Sequence, residues 1–447
     1  MSSDTIYALA SGPGRAGIAV IRVSGPKTEK ALQRLGVKTP KPRLAMRAKF
    51  MDPTTKDLLD DGLVLWFPAP HSFTGEDVAE LHIHGGRAVI DSIMSALSSI
   101  GGVRPAEAGE FTRRAFTNDK MDITQAEALA DLVDAESRAQ AKQALQQMGG
   151  ALKELTDDWR HRLVQALAHL EAVIDFPDED LPPDVADKVW GEVRDLEARI
   201  KTFLDDKHRG ERIRDGLSIA IVGAPNAGKS SLLNALAKRD AAIVSATPGT
   251  TRDIIDVHMD IGGYAVTVAD TAGLRVTSDA IEKEGVKRAQ ARAEQADIRI
   301  ALFDGAAYPD RDKTTQKLVD DNTIAVFSKA DVLDQAREIE LDVANDMRPT
   351  HFISSQTGFG MTALLQRLES LIKQKFDLGS SVSLTRARHR KALEECVDAL
   401  ARAQKVDLPE LAAEDLRLAA KALGRITGRV DVEEILDVVF REFCIGK

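Results

Sequence analysis

Residues 223–230 read Gly223-Ala224-Pro225-Asn226-Ala227-Gly228-Lys229-Ser230, the spacing G-x-x-x-x-G-K-S. The six residues ahead of it, Leu217-Ser218-Ile219-Ala220-Ile221-Val222, are mostly apolar and predict a buried strand. The residues behind it, Ser231-Leu232-Leu233-Asn234-Ala235-Leu236, have helical spacing. Strand, glycine loop and helix in that order predict a phosphate cradle. Gly223 and Gly228 admit backbone angles that side-chain-bearing residues avoid. Successive N–H groups and the helix N-terminus can then face an anion. Lys229 would reach the β- and γ-phosphates, and Ser230 would offer its hydroxyl to Mg²⁺. The competing reading, an ordinary glycine-rich turn, leaves the flanking strand and helix unexplained.

Outward from this loop, residues 216–377 alternate strand and helix patterns, as a doubly wound parallel sheet does. Four more stretches follow in the order a GTPase needs. Residues 249–253 read GTTRD, where Thr251 can give its hydroxyl to Mg²⁺ and its amide to the γ-phosphate. Residues 270–273 read Asp270-Thr271-Ala272-Gly273 after the strand-like Tyr264–Ala269, with Asp270 behind the metal and the Gly273 N–H sensing the γ-phosphate. Residues 328–331 read Ser328-Lys329-Ala330-Asp331 after the apolar run Thr323–Phe327. Asp331 can accept two hydrogen bonds from a guanine edge, Lys329 can pack along the base, and Ser354-Ser355-Gln356 can close the other side. Guanine-specific proteins usually carry asparagine where Ser328 stands, so guanine preference is expected to survive with lower base affinity. Leu274 occupies the position where many small GTPases place a water-orienting glutamine. Asp279, Glu282 and Glu284 lie nearby, either as a catalytic cluster or as the solvated start of a helix.

A chain of 447 residues predicts about three domains. Residues 1–118 read as an α/β unit with strands at Ile18–Val23, Gly62–Phe67 and Val78–Ile83 and a helix over Ala88–Leu97. Residues 119–215 turn alanine-rich and helical, with Thr124 and Glu127 at capping-box spacing, a break at Gly149-Gly150 and a charged linker from Asp205 to Asp215. Residues 216–377 form the nucleotide domain, and residues 378–447 return to helices. The simplest architecture is one helical domain interrupted by the nucleotide domain. Two cysteines, Cys396 and Cys444, fit a reducing cytoplasm, and no signal peptide or membrane span is read. A net charge of −10 confines nucleic-acid binding to local basic patches, such as Arg386–Lys391, which is equally a solvated helix face. His82 and His84 could face a metal, but no third ligand stands out and a structural role is preferred. Cys396 reads as core.

Four stretches carry a more specific signal: PGRAGIAVIRVSG (13–25), SFTGEDVAELHIHGG (72–86), EFTRRAFTNDKMD (110–122) and the terminal FCIGK (443–447). With the nucleotide motifs they resemble the MnmE (TrmE) family of tRNA-modifying GTPases over essentially the whole chain. The resemblance implies an amino-terminal folate-binding α/β domain, a discontinuous helical domain and an inserted Ras-like P-loop domain, in a homodimer. It implies a flavoprotein partner, MnmG (GidA), with which members install an aminomethyl or carboxymethylaminomethyl group on the wobble uridine of certain tRNAs. The carbon would come from a 5-formyl- or methylene-tetrahydrofolate derivative, with GTP, Mg²⁺ and K⁺ as the other small partners. Glu282 matches the catalytic glutamate. Asn226 matches a potassium ligand, and Ser245, Thr247 and Thr250 align with the loop completing that site, Ser245-Ala246-Thr247-Pro248-Gly249-Thr250-Thr251. Nucleotide contacts are implied for Asn226, Ala227, Gly228, Lys229, Ser230 and Ser231 and for the motifs above. A potassium ion there would offset charge between β- and γ-phosphates, the role of an arginine finger elsewhere. Arg275 would steady the second switch. Arg22, Glu80, Lys120 and Lys447 match folate-contacting positions. Cys444 stands either near the one-carbon chemistry or as a small apolar residue packing the last helix. Two other functions are weighed: an RNA-associated ribosome-assembly GTPase, and a dimer scaffold with a degenerate nucleotide site. Intact Lys229, Ser230, Thr251 and Asp270 argue against the second.

Overall fold

The structure is a computed structural model that describes residues 4–175, 185–238, 256–270, 293–333, 351–379 and 381–430, with 436, 439, 440, 443 and 446. The chain divides into two compact units: residues 1–133, 145–201 and 391–447, and residues 134–144 and 202–390.

The first unit opens with a six-stranded sheet of β1 (Thr5–Leu9), β2 (Ile18–Ser24), β3 (Met46–Met51), β4 (Leu58–Phe67), β5 (Val78–His84) and β6 (Val103–Pro105), ordered β3-β4-β5-β2-β1-β6. Strand β5 alternates with period two. Ala79, Leu81 and Ile83 are buried, while Glu80, His82 and His84 look to the other face. The buried face packs on helices α1 (Thr28–Arg34) and α2 (Arg87–Ser98), with Leu32, Ile93 and Leu97 meeting Ile21, Val64 and Leu81. Each such side chain contributes roughly 1.5–3 kcal/mol by leaving water. The three expected strands are present, β4 starting four residues earlier than read, and β1, β3 and β6 are additions.

Helices α3 (Glu110–Thr117) and α4 (Ile123–Asp134) follow. The cap of α4 is not the expected Thr124–Glu127 pair. Helix α4 starts at Ile123, so Asp122 is the cap: its Oδ1 accepts from the Gln125 N–H at 3.0 Å, and Gln125 Oε1 accepts from the Asp122 N–H at 3.1 Å. The same reciprocal box is thus shifted by two residues. Helix α5 (Arg138–Met148) ends at Gly149-Gly150, where Gly150 takes φ +93°, and α6 (Ala151–Asp175) begins beyond it. Helix α7 spans Val185–Leu204.

In the second unit the expected linker is itself structured: α8 (Arg209–Asp215) buries Gly210 and Ile213. Strands β7 (Leu217–Gly223), β8 (Asp256–Ile261), β9 (Tyr264–Asp270), β10 (Ile298–Asp304), β11 (Thr323–Ser328) and β12 (His351–Phe352) make a sheet ordered β12-β11-β10-β7-β9-β8. It is parallel apart from β8, which runs antiparallel to β9. Strand β7 is apolar almost throughout because both faces are covered. Helix α9 (Lys229–Ala237) supplies Leu232, Leu233 and Leu236 to the core, and α10 (Met361–Phe376) supplies Leu364, Leu368 and Ile372.

The chain ends in helices α11 (Ala387–Ala403) and α12 (Pro409–Thr427). Helix α12 lies along α6, with Arg417 on Glu171 at 2.8 Å and Arg429 on Asp157 at 2.8 Å, so helices distant in sequence pack together within the first unit. Cys396 is fully buried and burial pushes its thiol up to about 12, as a core residue requires. The run at 386–391 is solvated only in part, with Lys391 exposed and Arg386 and Arg388 half-buried. His389 and Arg390 are buried, and Arg390 pairs with Asp206 at 2.6 Å and Glu211 at 3.2 Å. His84 Nδ1 sits 2.7 Å from Asp60 Oδ1, and no group of metal-ligating side chains occurs among the described residues.

Candidate functional site

The carboxyl ends of the parallel strands collect the residues that the sequence singled out. Gly223 of β7 pairs with Leu302 of β10, Ile221 with Asp270 at the end of β9, Asp304 with Ser328 of β11, and Phe327 with Phe352 of β12. Parallel pairing brings these ends to one edge of the sheet, where open α/β sheets take their ligands.

The loop between β7 and α9 is shaped by two left-handed residues. Gly228 takes φ +94° as it caps α9, and Asn226 takes φ +63°, which asparagine tolerates better than most residues. Gly223 is needed for a different reason than its backbone angle. A Cβ there would stand 2.4 Å from the Leu302 carbonyl oxygen, so β7 and β10 close only around a glycine. Lys229 is only 8% exposed, and its Nζ donates to the Gly223 and Ala224 carbonyls at 2.9 Å each. That ammonium is therefore folded over the loop whose amides would hold a phosphate. Asn226 and Ser230 are exposed at the loop and the first turn of α9. Their amide and hydroxyl oxygens are hard donors that suit K⁺ and Mg²⁺.

The base side of the site is held by side chains from three strand ends. The Ser328 hydroxyl, 3% exposed, faces the Ala227 carbonyl at 2.6 Å and the Phe303 carbonyl at 3.2 Å. Lys329 Nζ donates to Asp304 Oδ2 at 2.6 Å. Burial would raise the Asp304 carboxyl, but the Lys329 and Ala306 N–H bonds outweigh it and hold the group below its ordinary value. Ser354, fully buried, donates its hydroxyl to Asp331, which is itself exposed. Phe327 stacks on Phe352 with centroids 5.3 Å apart and meets Tyr308 edge-on at 5.1 Å, a rigid aromatic layer beneath these loops. The expected residues Ser245, Ala246, Thr247, Pro248, Gly249, Thr250, Thr251, Thr271, Ala272, Gly273, Arg275, Glu282, Cys444 and Lys447 lie outside the described residues, as does the Asp270 side chain.

A second cluster lies on the open face of the first sheet. Arg22 and Glu80 are cross-strand partners, with Arg22 Nε and Nη2 donating to Glu80 Oε1 at 3.2 and 3.0 Å. The Arg22 guanidinium lies over the rings of Phe73 and Phe111, 5.2 and 5.8 Å from their centroids. His82 Nε2 is 3.7 Å from Glu80 Oε2. Lys120 lies against Gly75, close enough that a Cβ on that glycine would meet its Cε at 3.0 Å. Beneath them runs a buried polar network that ties the distinctive motifs together. Ser24 bonds Thr74 at 2.7 Å and Glu76 at 2.8 Å, Arg114 reaches Glu76, Glu110 and Asp4, and Asn118 donates to the Thr74 carbonyl at 2.7 Å. Burial works against the Glu110 carboxylate, yet bonds from Arg104, the Glu107 N–H and Arg114 keep it below its ordinary value. Sequence reasoning had Arg22, Glu80 and Lys120 but missed Phe73, Phe111, Glu76 and Arg114. Their only sequence signal was membership of the quoted motifs.

Comparison with known proteins agrees with this arrangement. The family described as "GTP-binding protein TrmE N-terminus" matches residues 5–120, and "MnmE helical domain" matches residues 123–444. The tRNA modification GTPase MnmE of Paramagnetospirillum magneticum is 56% identical over 100% of both chains. That of Rhodospirillum rubrum is 53% identical, again over 100% of both. A mitochondrial 5-taurinomethyluridine-[tRNA] synthase subunit of Danio rerio is 47% identical over 99% of this chain and 93% of its own. With this identity along its full length, the chain belongs to the MnmE family of tRNA modification GTPases.

Proposed function

We propose that this GTPase works as a homodimer with a flavoprotein partner of the MnmG (GidA) kind and adds an aminomethyl or carboxymethylaminomethyl group to C5 of the wobble uridine of certain tRNAs. A tetrahydrofolate derivative on the first sheet supplies the carbon, and GTP hydrolysis in the second unit drives the cycle. Lys229 holds the β- and γ-phosphates, Ser230 and Thr251 hold Mg²⁺ with Asp270 behind it, and Gly273 senses the γ-phosphate. Asn226 with Ser245, Thr247 and Thr250 holds K⁺, Glu282 positions the attacking water and Arg275 steadies the second switch. Asp331 accepts the guanine N–H groups, with Lys329, Ser354 and Ser355 around the base. The cytoplasm, where tRNA and reduced thiols coexist, suits the two-cysteine composition.

The observation that carries the folate half is the Arg22–Glu80 pair set over Phe73 and Phe111. A pterin's N–H donors suit the Glu80 carboxylate beside the half-buried Phe73 ring, with the buried Phe111 backing Arg22 from within, and Lys120 and Lys447 suit the acidic tail. Gly446 supports bringing the carboxyl terminus to this ligand. It lies so close to Leu9 of β1 that a Cβ would stand 2.1 Å from the Leu9 carbonyl oxygen, and β1 pairs Ala8 with Arg22. Calorimetry with 5-formyl-tetrahydrofolate tests the reading. The wild-type chain should bind it, and R22A should weaken binding by about tenfold or more while GTP turnover persists, since a charge-assisted contact is worth about 1.5–3 kcal/mol. Equal binding by both proteins, or none by either, would remove folate from this surface.

A further inference from the structure

Ser328 is the one residue of the base-side motif that departs from the usual guanine-binding pattern, and its surroundings show what it does instead. A guanine presents N–H donors on one edge and the O6 and N7 acceptors on another. A carboxylate such as Asp331 serves the first edge, whereas the second requires donors. The Ser328 hydroxyl carries a single proton. Both oxygen atoms it faces, those of Ala227 at 2.6 Å and Phe303 at 3.2 Å, are backbone carbonyls, so that proton is committed within the protein whichever of them takes it. The bond to Ala227 spans 101 residues of sequence and joins the end of β11 to the phosphate loop. The Ser328 side chain also stands at van der Waals distance from Gly228, 3.6 Å from where a Cβ would sit. The neighbouring donors are engaged too: Lys329 Nζ on Asp304, and the Ser354 hydroxyl on Asp331.

We propose that Ser328 is a positioning residue, a strut that fixes the phosphate loop to β11, and that this GTPase selects guanine through the N–H edge while leaving N7 unread. This rests on the reading of Asp331 as the acceptor for guanine's N–H groups. An asparagine at 328 would bring two protons on one nitrogen, enough to keep the Ala227 carbonyl and still meet N7. The serine retains the internal bond and gives up the external one.

The test is competition binding of GDP and 7-deaza-GDP, in which N7 is replaced by C–H, to the full-length chain with Mg²⁺. The wild-type protein should bind the two within about twofold, the factor expected when no hydrogen bond differs. S328N should bind GDP about tenfold more tightly and leave 7-deaza-GDP unchanged, the size of one added hydrogen bond. S328A should weaken both nucleotides to the same degree, because it loosens the loop and not a base contact. A wild-type preference of about tenfold for GDP over 7-deaza-GDP would overturn the proposal, since one missing bond is worth that much. So would an S328A defect confined to GDP. The Asp331 reading is checked separately with D331N, which should shift preference toward xanthosine diphosphate. Its failure would condemn that reading, and the 7-deaza comparison would still decide the role of Ser328.

Discussion

Asn226 shows how one side chain can answer to two requirements. Its φ of +63° shapes the phosphate loop, and its exposed amide is the proposed potassium ligand. Substitution by glycine separates the two, because glycine accepts the left-handed backbone without cost and removes the oxygen. N226G should therefore bind GTP but hydrolyse it in KCl no faster than the wild type does in NaCl. Undiminished potassium stimulation of N226G would take the cation away from this residue. Much of the site was legible at this scale. Gly228, Lys229 and Ser230 are neighbours in sequence, and their spacing alone implies the loop. The Ser328–Ala227 and Arg114–Glu76 contacts join residues 101 and 38 apart, and no local pattern announces them. Gly223 was chosen for the right position and the wrong reason, since it is the approach of Leu302 that requires it.

Among the elements, helix α4 carries the most direct test of local reasoning. Its start is fixed by Asp122, which accepts from the Gln125 N–H and from the buried Thr124 hydroxyl at 2.7 Å. D122A should lower the unfolding free energy of the chain by about 1 kcal/mol, the usual worth of an N-cap, measured by urea denaturation. No change in midpoint would show that the cap at Asp122 is incidental. Two cap patterns, Thr124–Glu127 and Asp122–Gln125, overlap in the sequence, and the choice between them depends on where tertiary packing buries Ile123. Strands with a clear run of branched or aromatic residues, such as β2, β5 and β7, were legible. Strand β3 carries Arg47 and Lys49 on its exposed side, and β6 is three residues long and ends in Pro105, so neither has the pattern that marks a strand. Helix α8 hid behind its charges: five of its seven residues are ionisable, yet Gly210 and Ile213 are buried.

In the proposed function, the phosphate-binding unit of this chain serves a folate-bearing sheet at its amino end. The polar network around Arg114 binds the motifs of that first sheet into one structure, and loss of one partner from a buried ion network costs about 3–5 kcal/mol. The nucleotide edge is similarly fixed by Ser328, Asp304 and Lys329. Folate binding separates the proposed function from a ribosome-assembly switch, which would have no use for a one-carbon donor. The decisive measurement is mass spectrometry of the wobble uridine in tRNA from cells lacking this chain, complemented with the wild type or with K229A. The C5 modification should be absent from the null cells, return with the wild type and stay absent with K229A. Full modification in the null cells, or restoration by K229A, would contradict the account.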